Sequence, residues 1–335
     1  MSNSNASPTM FGFDFQVNAA IYLMLENIEK MNEIRLEGKT EDIELFLDDG
    51  KRIYAQAKSV VNGSTDFSHV RENLNKALKT LSKADSKETE KLILITNSSN
   101  PLNEGKSSNI FCGPPSDVGY NDLPDEAKLI IDRIIEKSDY PIDLNKFRIK
   151  YFRFETDCLS ERYKFVEWKI NSFIVHLSLG KSISSDDLMN IWQNDIFRNG
   201  SQTNWNIKLS KKEIIWPIIV LVLGKQIPNE FLDDYDDALV EEIFSSYSSL
   251  INNCVERYDF ISKVLYDFKQ FKNKMNMKMG EQVKSFIDNK WEEYVDVLSL
   301  NSLDEELRKE ISKIVIAKIL KQRFTIDNIK QGAFL

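Results

Sequence analysis

The chain has 335 residues, 42% of them hydrophobic, with 52 acidic against 44 basic side chains and a formal net charge of −8 at pH 7. That length fits one large domain or two ordinary ones. The charge argues against a free-standing nucleic-acid binder, which is usually basic, but it leaves a nuclease open, because a metal ion neutralises a local acidic cluster and a partner can supply basic surface.

Cys112, Cys158 and Cys254 are widely spaced and make neither a metal pattern nor a disulfide framework, so a cytoplasmic location is expected. His69 and His176 read as structural or surface residues. Residues 1–9 read as a disordered polar tail without the pattern of a signal peptide. The longest apolar run, 214–224, is short of the roughly 20 residues that span a bilayer, so no membrane partner is expected.

Residues 11–31 read as the first helix, with Val17, Ile21, Met24, Leu25 and Ile28 on one stripe. Gln16, near its start, either faces the following strands and assists a site or is solvated. Residues 33–36 read as a short strand running into Glu37, a candidate acid.

Residues 40–47 and 51–59 read as two strands of a hairpin joined by Asp48-Asp49-Gly50, because apolar and polar residues alternate in both. A three-residue loop with Gly50 in the left-handed conformation pairs Leu45 with Ile53, Ile43 with Ala55 and Asp42 with Gln56. One face is then apolar, and the other carries Asp42, Gln56 and Lys58. A two-residue loop would bring Glu41 to that face instead and break the apolar pairing, since a one-residue slip turns every side chain over. Asp42 is favoured, and Glu41 is the candidate of the alternate register. A carboxylate, an amide oxygen and a backbone carbonyl such as that of Ala57 suit a hard divalent cation. Lys58 can orient a metal-bound water or stabilise charge developing on a phosphate. Any one of these residues is explained as well by a half-exposed hairpin showing polar groups to water; the ordered set does not reduce to that.

Farther on, Asp66 or Ser68 caps a helix to about residue 81, and 91–96 reads as a central strand buried on both faces, parallel to the hairpin's second strand. Residues 98–124 read as a long irregular stretch containing Lys106. A helix is expected over 125–137, then a strand at 147–154 whose Arg148, Lys150 and Arg153 could meet phosphates or guard a sheet edge. Residues 159–179 read as an aromatic-rich helix. Composition changes at 180–210, where Ser184 and Asp187 form a capping box for a helix to about 197. From 211 onward only helices are expected: 212–224, 237–254, 259–275, 281–298 and 303–324. The acidic run Asp233, Asp234, Asp236 and Asp237 lacks the glycine and terminal glutamate of an EF-hand loop.

The order helix, strand, hairpin, helix, strand, with an acid and Gln-x-Lys on the hairpin, resembles the PD-(D/E)XK restriction-endonuclease superfamily. G-F-D-F-Q at 12–16, E-D-I at 41–43 and Q-A-K-S at 56–59 resemble the double-stranded DNA endonuclease domain of CBASS effectors, which is also found in Lamassu anti-phage effector subunits. Mrr-type enzymes share the broader pattern but carry Glu where Gln16 stands. The resemblance covers about residues 10–160. It implies an α/β restriction-endonuclease-like domain (10–180), a mixed sheet flanked by helices, followed by an all-α domain (181–335) for partner binding or oligomerisation. It also implies Mg²⁺ (or Mn²⁺) held by Asp42 and Gln56, catalysis by Lys58, a double-stranded DNA substrate, and a role in anti-phage defence. The helical C-terminal half is more like a Lamassu effector, which implies an SMC-like ATPase complex as partner and a homo-oligomer when active. The competing expectations are a non-catalytic interaction subunit that keeps the fold, and a related nuclease acting on RNA.

Overall fold

The computed structural model describes residues 6–111, 115–224, 257–272 and 278–335, together with 243, 246, 247 and 251. Contacts divide the chain into two units: residues 1–176 with 184–214 and 334, and residues 177–183 with 215–333 and 335. The compositional change at 180 therefore does not mark the division. The capped helix that begins there packs with the first unit, and the change of unit falls near residue 214.

The first unit is a seven-stranded mixed sheet with helices on both faces, in the order β5-β6-β4-β3-β2-β1-β7. The strands are β1 (Met31–Leu36), β2 (Ile43–Leu47), β3 (Arg52–Lys58), β4 (Thr89–Thr96), β5 (Ser116–Gly119), β6 (Phe147–Tyr151) and β7 (Leu209–Ser210). The helices are α1 (Ser7–Glu26), α2 (Val70–Leu81), α3 (Gly105–Phe111), α4 (Asp125–Ser138), α5 (Leu159–Arg162), α6 (Lys164–His176) and α7 (Ser185–Gly200), with α8 (Lys211–Leu223) crossing into the second unit.

β2 and β3 are antiparallel, pairing Ile43 with Ala55 and Leu45 with Ile53. This is the register of the three-residue loop: Leu47 N–H donates to the Lys51 carbonyl, and Gly50 sits at φ 80°, where a side chain would be strained. Ile43, Leu45, Ile53 and Ala55 are all buried. On that side lies α1, buried all round from Phe15 to Leu25 because β1, β3, α6 and α7 surround it. Its end is set by Asn27, whose side-chain amide donates to the Leu23 carbonyl, so the helix stops at Glu26.

The opposite face of the sheet packs α2, α3 and α4. Leu74, Ala77, Leu78 and Leu81 of α2 meet Tyr54, Leu92, Leu94, Phe147 and Ile149. β4 runs parallel to both β3 and β6 and is the buried central strand its K-L-I-L-I-T sequence suggests. The stretch 98–124 is not structureless: it holds α3 and β5, which pairs antiparallel with β6. Its S-D-V-G strand has no alternation to signal it.

β7 closes the other edge. Arg35 of β1 is fully buried, and its guanidinium donates to the carbonyls of Asn199, Gln202 (2.7 Å) and Ile207 (3.1 Å). A cation among these carbonyls complements the C-terminal end of α7. Asn199 Oδ1 accepts from the Leu36 N–H, so the helix end and the edge strand are fastened together. At the other end of α7, Ser184 Oγ accepts from the Asp187 N–H, the helix start expected from the capping box.

The second unit is helical where it is described, with helices at Tyr258–Lys272, Met279–Lys290, Glu305–Lys321 and Arg323–Gly332 around Phe260, Phe268, Phe286, Tyr294 and Ile311. The helix expected at 237–254, the acidic run at 233–237, Cys112 and Cys254 lie largely or wholly outside the described residues. Among the described residues, no helix is long and apolar enough to cross a membrane.

Candidate functional site at the mouth of the hairpin

The chain turns sharply between β1 and β2, and this turn delivers the acids. Glu37 N–H donates to the Asp42 carbonyl (2.7 Å) and Gly38 N–H to the Glu41 carbonyl (2.9 Å). Glu37 lies at φ 52°, a left-handed conformation that costs a non-glycine residue about 1 kcal/mol or more. The buried carboxylate of Glu44 closes the turn from beneath, its Oε1 accepting from the backbone N–H groups of Thr40 (2.8 Å) and Glu41 (3.2 Å). A Cβ on Gly38 would stand 2.4 Å from the Glu44 carboxyl carbon, so only glycine admits that carboxylate.

Asp42 and the Gln56-x-Lys58 pair converge here. Asp42 Oδ2 accepts from the Ala57 N–H (3.0 Å) and lies 3.6 Å from Lys58 Nζ. About a quarter of each of those two side chains remains open to solvent (23% and 25%), enough for a ligand to reach them. Burial raises the Asp42 pKa, while Lys58, the Ala57 N–H and the Gln56 side chain pull it back down. Gln56 is buried, and its Oε1 accepts from Thr80 Oγ1 of α2 (3.0 Å), which leaves its amide nitrogen for Asp42. A half-turn of that amide exchanges the two ends and presents oxygen to the site. Ala57 contributes its N–H to Asp42, whereas the sequence suggested its carbonyl.

Gln16 makes its hydrogen bond to Glu37 rather than to Asp42. It is buried on α1 and donates through Nε2 to Glu37 Oε1 (2.7 Å). Its effect on the site runs through Glu37, whose charge raises the Asp42 pKa.

Glu41 stands apart from the others. The favoured register sets it outside the polar face, yet the turn, not strand alternation, decides where it points. Its side chain is buried, 4% exposed, and neither carboxylate oxygen has a hydrogen-bond partner in the protein. Burial pushes its pKa up to about 8, and the neighbouring charge of Asp42 adds to this. The Thr80 hydroxyl, near enough to hydrogen-bond Glu41, and the charge of Lys58 act in the opposite direction. Thr80 still does not satisfy Glu41: its one hydroxyl hydrogen is already contested by Gln56 Oε1 and the carbonyls of Lys76 and Ala77.

Sequence reasoning missed three supports. Glu44 looks like a solvated strand residue, and Thr80 like an unremarkable helix position. Asn97, just past β4, accepts from Val60 N–H (2.7 Å) and donates to the carbonyls of Val60 and Phe154 (both 2.9 Å), which fixes the exit of β3. Only the position of Asn97 at the end of a buried strand carried a signal.

The basic side chains expected to meet phosphates are mostly engaged within the protein. Lys150 is buried between Glu26 (2.6 Å) and Asp117 (2.7 Å), and Arg148 pairs with Asp117 (2.6 Å). Arg153 pairs with Glu155; elsewhere on the sheet's flank, Lys106 pairs with Glu126 and Arg71 of α2 donates to the carbonyls of Leu102 and Asn103.

The oxygen donors at the hairpin mouth, with two buried carboxylate oxygens lacking any partner, fit a hard divalent cation. Among the described residues, no three His, Cys, Asp or Glu side chains gather as a metal-binding group, so such a site would draw on the Gln56 amide as well.

No family model matches the chain, and no curated protein does. Solved structures that resemble it include the Moraxella osloensis Cap4 SAVED/CARF-domain containing receptor, with 14% identity and a TM-score of 0.38 over 76% of this chain and 60% of that one. The Acinetobacter baumannii Cap4 SAVED/CARF-domain containing receptor gives 14% identity and 0.37, over 75% of this chain and 61% of that one. The latter receptor has also been solved with the cyclic trinucleotide 3'3'3'-cAAA. The chain spans about 60% of the length of these structures. A likeness at that level says nothing of activity.

Proposed function

We propose that the chain is a metal-dependent endonuclease of the restriction-endonuclease-like type, acting on double-stranded DNA as an effector of bacterial anti-phage defence. The observation that carries this reading is the convergence of Asp42, Gln56 and Lys58 at one open end of the β2–β3 pair, with Asp42 and Lys58 3.6 Å apart. Asp42 and Gln56 would hold Mg²⁺ or Mn²⁺. When bound, the ion would polarise the scissile phosphate and make water a better nucleophile at neutral pH. Lys58 would donate to the attacking water or to a phosphate oxygen and stabilise the negative charge that grows as the phosphorus–oxygen ester bond breaks. The Ala57 N–H fixes the Asp42 carboxylate, and Gln16 fixes Glu37 beside it. Control by an SMC-like ATPase complex or by self-association accords with the net charge of −8, which slows the approach of an isolated chain to DNA.

The test is nicking of supercoiled plasmid with Mg²⁺, comparing the wild type with Lys58→Ala and Asp42→Asn, and repeated on double-stranded RNA. Both variants are expected to be inactive on DNA. Equal nicking by wild type and Lys58→Ala would remove the catalytic reading, and preference for RNA would move the substrate.

A further inference from the structure

The resemblance implies metal ligands only at Asp42 and Gln56. The geometry points to Glu41 as a second carboxylate ligand of the same cation, held on the α2 side of Asp42; this rests on the metal-dependent reading given above.

Three observations converge on it. First, both oxygens of Glu41 are buried and unsatisfied, whereas the other buried carboxylate nearby, Glu44 at the start of β2, accepts two backbone N–H groups. A buried carboxylate that nothing satisfies costs several kcal/mol in principle, so a chain keeps one where something else completes it.

Second, the surroundings supply oxygen on the α2 side. Gln56 Oε1 and Thr80 Oγ1 lie there, 3.0 Å apart, and Lys58 stands with Asp42. An amide oxygen, a hydroxyl and two carboxylates of adjacent residues make a donor set for a hard cation. A cation there would also resolve the contest over Thr80, since Gln56 Oε1 could turn to the metal and release the hydroxyl hydrogen to Glu41.

Third, the turn that positions Glu41 is over-determined. Its backbone N–H is held by Glu44 (3.2 Å) and its carbonyl by Gly38 N–H (2.9 Å), with Glu37 in a left-handed conformation just before it. Strain of this kind persists where the surroundings impose it, and it clusters at ligand-binding sites. The two acids of E-D-I are therefore not alternatives belonging to two registers. One register presents both, Asp42 from the strand entrance and Glu41 from the turn.

The experiment is titration of the full chain with Mn²⁺ alone by isothermal calorimetry, with Mn²⁺ electron paramagnetic resonance as a second readout. The proteins are the wild type, Glu41→Gln, Glu41→Asp, Asp42→Asn and, as a control on the exposed face of α4, Glu136→Gln, each checked for folding by circular dichroism in chelator. Glu41→Gln is expected to weaken Mn²⁺ binding by at least roughly tenfold, the scale at which even groups that only support a ligand act. Glu41→Asp, which keeps the charge but retracts it, is expected to fall between, and Glu136→Gln to match the wild type. If Asp42→Asn loses Mn²⁺ while both Glu41 variants bind as the wild type does, Glu41 is a structural acid and this inference is overturned, with the nuclease reading left standing. If the wild type binds no Mn²⁺ at millimolar concentration, both fall together.

Discussion

Two clusters of buried charge lie on the first unit and have opposite character. At the β5–β6 edge, Tyr22 OH donates to Glu26 Oε1 (2.6 Å), Lys150 joins Glu26 to Asp117, and Arg148 closes the chain of contacts. Each charged group there meets an opposite charge or a hydrogen-bond partner. At the hairpin mouth, by contrast, Glu41 is left unsatisfied beside a Thr80 hydroxyl that has more acceptors than hydrogens, and Asp42 has one backbone donor, the Gln56 amide and a loosely spaced lysine. A satisfied network ties α1 to the sheet and has little left to offer a ligand. An unsatisfied one is a cost to the fold, which makes it the better place to look for chemistry.

The contrast can be broken at its strongest point first. Lys150→Ala leaves Glu26 with Tyr22 alone and Asp117 with Arg148 alone, and should destabilise the protein by about 2–3 kcal/mol. Chemical denaturation would measure this, and the loss should be the same with and without divalent cation. Lys58→Ala should do the reverse. Plasmid nicking should fall roughly a hundredfold or more, while stability changes by less than about 1 kcal/mol, because the Asp42–Lys58 pair is partly exposed and 3.6 Å apart.

A pH series sharpens the comparison further. Glu41 has its pKa raised to about 8 by burial, so between its ordinary carboxylate range and that value the unfolded chain has released a proton that the folded chain keeps. Stability attributable to Glu41 is therefore present at low pH and lost as pH rises toward 8. In chelator, Glu41→Gln should unfold like the wild type near pH 4 and be more stable by on the order of 2 kcal/mol near pH 8. Parallel pH profiles for the two proteins would contradict the raised value. The smallest effect is expected from Gly38→Ala, where the added methyl meets the Glu44 carboxylate. Displacing that acid from two N–H groups should cost about 1–2 kcal/mol, read as a lowered melting temperature, and should weaken Mn²⁺ binding by loosening the turn.

How much of this was legible in the sequence depends on how local the cause is. The hairpin register follows from alternation and a loop of fixed length, so Asp42, Gln56 and Lys58 could be brought together on paper. Burial of β4 could be read from its unbroken apolar run. Glu41 could not be placed, because the alternation rule applies only inside a strand, and 37–42 is a turn whose shape is set by Glu44 from below. The basic residues of β6 look free in sequence, yet Lys150 finds Glu26 from a helix 124 positions away. β5 stayed hidden because four residues without alternation leave no periodic trace. The unit boundary was misjudged because composition changes where α7 begins, while contacts follow Arg35 and Asn199 back onto β1.

The fastening of α7 to β1 matters for solubility as well as for shape. β7 is only two residues long, and it is what covers the outer rim of the sheet. Three carbonyls gathered by a single guanidinium keep that short cover in place. Were Arg35 to let go, the outward groups of β1 at Glu33 and Ile34 would lie open to whichever chain came next, and uncovered rims of that kind are where proteins begin to stick to one another.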